Sequence, residues 1–336
     1  MIAALFDRLR QGDRNALARL ISLAARGEFL GEMRAAVGRH SSLASSTPAR
    51  SASEEDVKKP SLALRAGVRS SDESKPALVV AFTGSGGVGK SSLLGKLISI
   101  VRGQGRKVAV LACDPQSPLS GGALLGDRFR MGSPLDDGVY IRSLAALGGR
   151  GAVAEHLDVI IQLLEAFGFD AIFLETVGSG QGDVAVRNLA DVVVLLLQPE
   201  SGDDVQWEKA GILECADVVV VHKSDLLSAD QTAAQVRAAL DLPHGREVAV
   251  LLVSTKKNEG HVELWRTIKS LPRRRLQPSA ARALWQETLA VLERRFRTAE
   301  DSGEPALGEL VERWRRGDEA TPAAVREVLR LLSNAD

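Results

Sequence analysis

Gly84-Ser85-Gly86-Gly87-Val88-Gly89-Lys90-Ser91 fits the pattern GxxxxGK[ST], a spacing suited to holding phosphate. Glycines let backbone N–H groups converge on phosphate oxygens, and a helix opening at the lysine adds its positive end. The Lys90 ammonium would reach the β- and γ-phosphates, the Ser91 hydroxyl would ligate Mg²⁺, and Ser92 completes the cradle. An apolar run, LVVAFT, precedes the motif and SLLGKLISIV follows it, so strand, loop and helix stand in the order a phosphate loop requires. This stretch predicts a bound nucleoside phosphate.

Three further groups could complete such a site. KVAVLAC runs into Asp114-Pro115, placing a carboxylate at the end of a strand where it can hold Mg²⁺; a turn or helix-cap role is the alternative. The Gly-rich stretch after it, QSPLSGGALLGDRFRM, carries Asp127 and reads as a loop able to respond to a γ-phosphate. AIFLE ends in Glu175-Thr176-Val177-Gly178, the form of the switch signature DxxG with Glu for Asp. Glu175 would order Mg²⁺ or the attacking water, and the Gly178 N–H would bond the γ-phosphate. Finally, His222-Lys223-Ser224-Asp225 is similar to the guanine-reading motif NKxD. Asp225 would accept from guanine N1–H and N2–H₂, which adenine cannot offer, and the Lys223 stem would cover the base. His222 stands where Asn is usual, either donating to guanine N7 or acting as a buried strand-end histidine. Ser254-Thr255-Lys256 sits where one more base-contacting loop is expected.

These residues need rigid elements to hold them. Apolar runs at 78–83, 108–113, 171–175, 192–198, 218–222 and 248–253 read as strands covered on both faces, because most are continuous rather than alternating. Helical stretches at 92–103, 152–167 and 229–240 lie between them, which predicts an α/β fold with a doubly wound, mainly parallel sheet. Residues 1–40 read as helical with a break at Gly12-Asp13. Residues 41–76 hold ten serines and three prolines and read as a flexible tether, an ordered wrapping loop being the alternative. The expected organisation is therefore helices over 1–40, tether over 41–76, sheet domain over 77–272 and a helical arm over 273–336. Residues 273–297 of that arm carry seven arginines against two glutamates beside an apolar stripe of Trp285, Leu289, Leu292 and Phe296. The stripe suits either docking on a partner or packing on its own domain.

Composition excludes other classes. Lys+Arg and Asp+Glu are 43 each, and zero net charge argues against nucleic acid or an anionic membrane as partner. No apolar run approaches the ~18 residues of a membrane span, and the charged N-terminus is unlike a signal peptide, so a cytoplasmic protein is expected. The two cysteines form no CxxC or Cys/His pattern, which predicts neither a disulfide framework nor a structural zinc site.

With these pieces assembled, the chain resembles the MeaB/ArgK-type P-loop GTPases, chaperones of adenosylcobalamin-dependent acyl-CoA mutases such as methylmalonyl-CoA mutase. The matching text is QGDRNALARLISLA, GSGGVGKSSLLGKL, VAVLACDPQSPLSGGALLGDRFRM, FLETVGSGQGD and ESGDDVQWEKAGILECADVVVVHKSD. The resemblance implies a GTPase that gates cofactor loading into a mutase and protects it, with GTP and GDP as nucleotides, Mg²⁺ at the site and cobalamin met only through the partner. It implies a homodimer joined through the C-terminal arm. By residue, it implies Lys90 and Ser91 on phosphates and Mg²⁺; Asp114, Asp127 and Glu175 as the acidic set; Gly178 and Gln181 in the catalytic switch; and Asp225 on guanine. Departures include Gly86-Gly87 where Pro-Gly is usual, Ser179 for Val, and Asp183 for Glu. A binding module with negligible hydrolysis, or a nickel-inserting GTPase, are the other readings; the second is disfavoured by five dispersed histidines and no Cys/His cluster.

Overall fold

The computed structural model describes residues 1–44, 76–115, 136–146, 154, 156–176, 186–199, 212–240, 248–275 and 280–333. They divide into two compact units, Met1–Arg275 and Leu276–Asp336. The expected tether, apart from its first and last residues, lies outside the described residues.

The first unit opens with α1 (Ile2–Arg10), α2 (Arg14–Ala25) and α3 (Leu30–Ala44). The break foreseen at Gly12-Asp13 has a local cause. Asp13 caps α2, its carboxylate accepting from the N–H groups of Asn15 and Ala16 while Arg8 pairs with it from α1. Helix α3 runs on past residue 41, into the start of the serine-rich stretch.

The remaining elements of this unit are β1 (Leu78–Thr83), α4 (Lys90–Gly103), β2 (Val108–Pro115), β3 (Val139–Ala146), α5 (Leu157–Phe167), β4 (Ala171–Glu175), β5 (Val192–Leu197), α6 (Ile212–Cys215), β6 (Val218–His222), α7 (Ala229–Leu240), β7 (Ala249–Val253) and α8 (His261–Ser270). Among the described residues the strands form one sheet in the order β3-β2-β4-β1-β5-β6-β7, every ladder parallel. β3 was not among the expected strands. Arg142 and Ser143 interrupt its apolar run, and an edge strand tolerates them: Arg142 donates to Ser22 of α2, and Arg14 of α2 donates to the Val139 carbonyl.

Successive residues of each central strand face opposite layers. Val79, Ala81, Leu111, Ile172 and Leu174 pack with Leu5, Leu9, Leu17, Leu20 and Met33 of α1–α3 and with α5. Leu78, Val80, Phe82, Val110 and Phe173 pack on the other face with Leu93, Leu94 and Leu97 of α4 and Leu264, Trp265 and Ile268 of α8. The N-terminal helices thus share the sheet's own core, and double coverage explains why the strands are apolar throughout. Two buried carboxylates lock the strand starts: Asp191 accepts from the Val79 N–H, and Asp217 accepts from Val193 N–H and Arg187. β1 sits between β4 and β5, so chain leaving β1 and chain leaving β5 depart to opposite sides, opening a crevice at the strand ends.

The second unit consists of α9 (Ala280–Asp301), α10 (Pro305–Arg316) and α11 (Thr321–Ser333). Leu307, Leu310, Ala324 and Leu332 are buried within it, and Arg295 donates to the Leu332 carbonyl. Of the expected stripe, Leu292 and Phe296 are half-buried, whereas Trp285 and Leu289 are 57% and 46% exposed.

Leu20 is fully buried between α2 and the sheet layer. Leu20→Ala should destabilise the first unit by about 2–5 kcal/mol, read as a lower denaturant midpoint with unchanged slope.

Candidate functional site

β1 delivers the chain to the crevice and the glycine loop begins there. Gly84 has φ +142° and a Cβ on it would lie 2.3 Å from the Leu196 carbonyl oxygen; Gly89 has φ +99° and its Cβ would lie 2.5 Å from His222 Cε1. Only a residue without a side chain fits either position. Gly86 has open space at its Cβ position, so the loop's shape places no demand for glycine there.

Helix α4 starts at Lys90. The Lys90 side chain is buried, and Nζ donates to the carbonyls of Gly84 at 2.8 Å and Ser85 at 3.1 Å, fixing the ammonium inside the loop. Ser91 Oγ donates to Glu175 Oε1 at 2.8 Å. Strand pairing makes this contact, because β4 runs beside β1 with Phe82 opposite Glu175. Below it Thr176 Oγ1 and Thr83 Oγ1 lie 3.2 Å apart, and the Thr176 N–H bonds the Phe82 carbonyl. On β2, Ala112 is opposite Glu175, so Asp114 lies two residues further toward the same edge, within a strand rather than in a turn or helix cap. A hydroxyl and a carboxylate converging beside a phosphate loop are hard oxygen donors, the set Mg²⁺ prefers, so these residues fit that ion. Asp127, Gly178 and Gln181 lie outside the described residues.

The residues expected to read a base lie around the ends of β6 and β7. His222 ends β6 and is buried at 3% exposure; its Nδ1 is 2.7 Å from the Val88 carbonyl and its Nε2 is 2.9 Å from Thr255 Oγ1. A carbonyl can only accept, so Nδ1 carries the proton. Burial lowers the His222 pKa, with Lys223 adding to the effect, so the ring is neutral and its Nε2 accepts from the Thr255 hydroxyl. Of the two sequence readings for His222, the buried strand-end histidine is the one built here. Both nitrogens are engaged by protein groups, and the ring ties the glycine loop to the loop after β7 instead of pointing to guanine N7.

Asp225 accepts from Ser254 Oγ at 2.7 Å, and the same hydroxyl oxygen accepts from the Lys257 N–H. That hydrogen bond first, then nearby Lys256 and Lys257, holds the Asp225 carboxyl below the usual range, leaving it an acceptor-only group. Lys223 takes φ +56° and donates to Gln198 at the end of β5, 2.7 Å away. The loop between β7 and α8 is closed by paired Ser254 and Glu259 backbone bonds, which keeps Ser254-Thr255-Lys256 against the β6 end. The structure therefore joins the two motifs that sequence spacing left apart. Two participants carried no sequence signal: Gln198, and His261, whose Nε2 is 3.3 Å from Thr255 Oγ1.

A family-wide profile described as "Methylmalonyl Co-A mutase-associated GTPase MeaB" matches residues 56–283. The chain belongs to the MeaB family. Within it, this MeaB-family chain is 40% identical over 276 residues to a Pyrococcus abyssi protein described as a candidate GTPase, covering 80% of this chain and 75% of that one. It is 39% identical over 198 residues to the mouse protein named methylmalonic aciduria type A homolog, mitochondrial, covering 56% of this chain and 48% of the mouse one. It is 43% identical over 148 residues to a fused isobutyryl-CoA mutase of Nocardia farcinica, covering 43% of this chain and 14% of the mutase. Among solved structures, an LAO/AO transport system kinase aligns over 99% of this chain and 98% of its own, with TM-score 0.53 and 20% identity, which shows the shared fold.

Burial lowers the pKa of both His222 and His261 below the ordinary 6.5. The folded chain therefore resists a proton that the unfolded chain accepts, so stability from these rings is complete above pH 6.5 and is lost as pH falls below it. Melting temperature should fall from about pH 7.5 to about pH 5.5, and His222→Asn, which keeps a donor toward Val88, should flatten part of that slope.

Proposed function

We propose that this chain is a Mg²⁺-dependent GTPase that gates an adenosylcobalamin-dependent acyl-CoA mutase, coupling GTP binding and hydrolysis to loading and protection of the mutase's cofactor. The observation that carries the reading is the joined site: a Lys90 ammonium held within the glycine loop, and an ionised Asp225 held by Ser254 at the loop's other side, with His222 bonded to both walls.

In this reading the backbone of Gly84 to Gly89 and the Lys90 ammonium bind the phosphates, while Ser91 and Glu175, with Asp114 and Asp127, hold Mg²⁺. The ion supplies charge neutralisation on the phosphate oxygens. Glu175 and Gln181 orient the attacking water, and the Gly178 N–H bonds the γ-phosphate, so that hydrolysis releases the loop they sit on. Asp225 accepts both guanine donors, the Lys223 stem covers the base, and Ser254 to Lys256 close its edge.

Support for a mutase client comes from the family and from relatives named as fused isobutyryl-CoA mutases, in which matching sequence is part of a chain with that name. In the second unit, Trp285 and Leu289 stay exposed on α9, the helix that also carries exposed Arg294 and Arg297, which supports the reading of the arm as a homodimer contact.

Lys90→Ala should abolish nucleotide binding in calorimetry. Asp225→Asn should reduce the GTP-over-ATP preference by about 10²- to 10⁴-fold, because the rejected base no longer leaves a carboxylate unpaired. Phosphate release should rise when an acyl-CoA mutase is added; release that stays absent with and without the mutase would instead make the chain a nucleotide-gated binding module.

A further inference from the structure

His261 is the first residue of α8 and is buried, with Nε2 3.3 Å from Thr255 Oγ1. The paired Ser254 and Glu259 backbone bonds close the loop that carries Thr255, and Leu264, Trp265 and Ile268 anchor α8 in the sheet core. Both ends of the contact are therefore fixed.

The hydrogen bonds from the glycine loop to α8 form one series, and its protons fit one arrangement. The Val88 carbonyl accepts from His222 Nδ1, so the neutral His222 ring presents Nε2 as a lone pair. Thr255 has one hydroxyl proton, and His222 Nε2 takes it. Toward His261 the Thr255 oxygen is then an acceptor, and His261 Nε2 supplies the N–H. His261 Nδ1 is left as a bare acceptor at the end of the series, and it is the ring nitrogen found without a partner. The opposite His261 tautomer would set two lone pairs against one hydroxyl proton. It would lose a hydrogen bond and bury an unpaired N–H in place of an unpaired lone pair. Burial is the leading cause that lowers the pKa of both rings below 6.5, so both are neutral at neutral pH, as this order requires.

We infer that His261 is a positioning residue for the glycine loop: by donating to Thr255 it commits that hydroxyl to His222, and His222 in turn holds the Val88 carbonyl. It acts through those two side chains, and its bearing on function rests on the reading of the loop as a nucleotide site. The Val88 carbonyl and the Gly89 N–H belong to one trans peptide and point opposite ways. With the carbonyl turned to His222, the Gly89 N–H is turned away from that ring, and among the described residues it bonds no other backbone group. A phosphate cradle needs such N–H groups held in fixed directions. Without the His261 donor the Thr255 hydroxyl is no longer committed to His222, and the Val88 peptide gains freedom that a bound phosphate must remove.

The test uses the full chain at about pH 7.5, where both rings are neutral. In the nucleotide-free protein, two-bond ¹H–¹⁵N correlation spectra should show His222 protonated at Nδ1 and His261 at Nε2. GDP affinity with Mg²⁺, read by calorimetry, should fall about three- to tenfold in His261→Leu, the worth of one net hydrogen bond. His261→Gln, whose side-chain N–H can reach Thr255, should recover most of the loss. Thr255→Val should cost as much as His261→Leu, and the double variant no more than either, because both cut the same series. A His261 ring protonated at Nδ1, full GDP affinity in His261→Leu, no recovery with Gln, or additive losses would each overturn the inference. The spectra need no variant, so a His261→Leu chain that failed to fold would leave the test intact. Absence of GDP binding by the unaltered chain defeats the GTPase reading as well, whereas wrong ring protons with intact GDP binding defeat this inference alone.

Discussion

One buried imidazole holds the site together. His222 donates from Nδ1 to a carbonyl of the glycine loop and accepts at Nε2 from the loop after β7, so three segments distant in sequence meet on one ring. The fit is tight enough that Gly89 can carry no side chain against it. Burial keeps the ring neutral, and neutrality is what lets one nitrogen donate while the other accepts. The glycine-loop wall and the Asp225 wall are therefore not independent, because a displacement of either pulls on the same two hydrogen bonds.

The sheet makes this meeting possible. With all ladders parallel, the strands end at one edge, and the order β4-β1-β5-β6-β7 puts Glu175, the glycine loop, Gln198, His222 and Ser254 at successive strand ends. Helices cover both faces, including the three N-terminal ones, so the strand ends are carried on a core that α1–α5 and α8 jointly close. Rigidity behind the site and loops in front of it is the division of labour expected of a ligand site built at a topological crossover.

Much of this was legible from residue order. The glycine loop announces itself because phosphate geometry demands glycines and a lysine at fixed spacing, and the parallel sheet because doubly covered strands must be apolar on both sides. β3 was not, since Arg142 and Ser143 break its run and only its place at the sheet edge, beside α2, makes them acceptable. The identity of Lys223, Asp225 and Ser254 as neighbours was an expectation from motif text, and the hydrogen bond from Ser254 to Asp225 gives it a physical form.

Local sequence determined what each segment is: a loop that cradles anions, strands that want burial, a helix capped by Asp13. Tertiary structure decided what the segments do to one another. His222 could have faced a base or a backbone, and the packing of β6 against the glycine loop settled it, since both of its nitrogens found partners in elements that no spacing rule connects. His261 carried no motif at all; its contact with Thr255 exists only because β7 and α8 converge there. Short-range chemistry is written in neighbouring residues, whereas contacts between strand ends depend on the order in which the sheet is assembled.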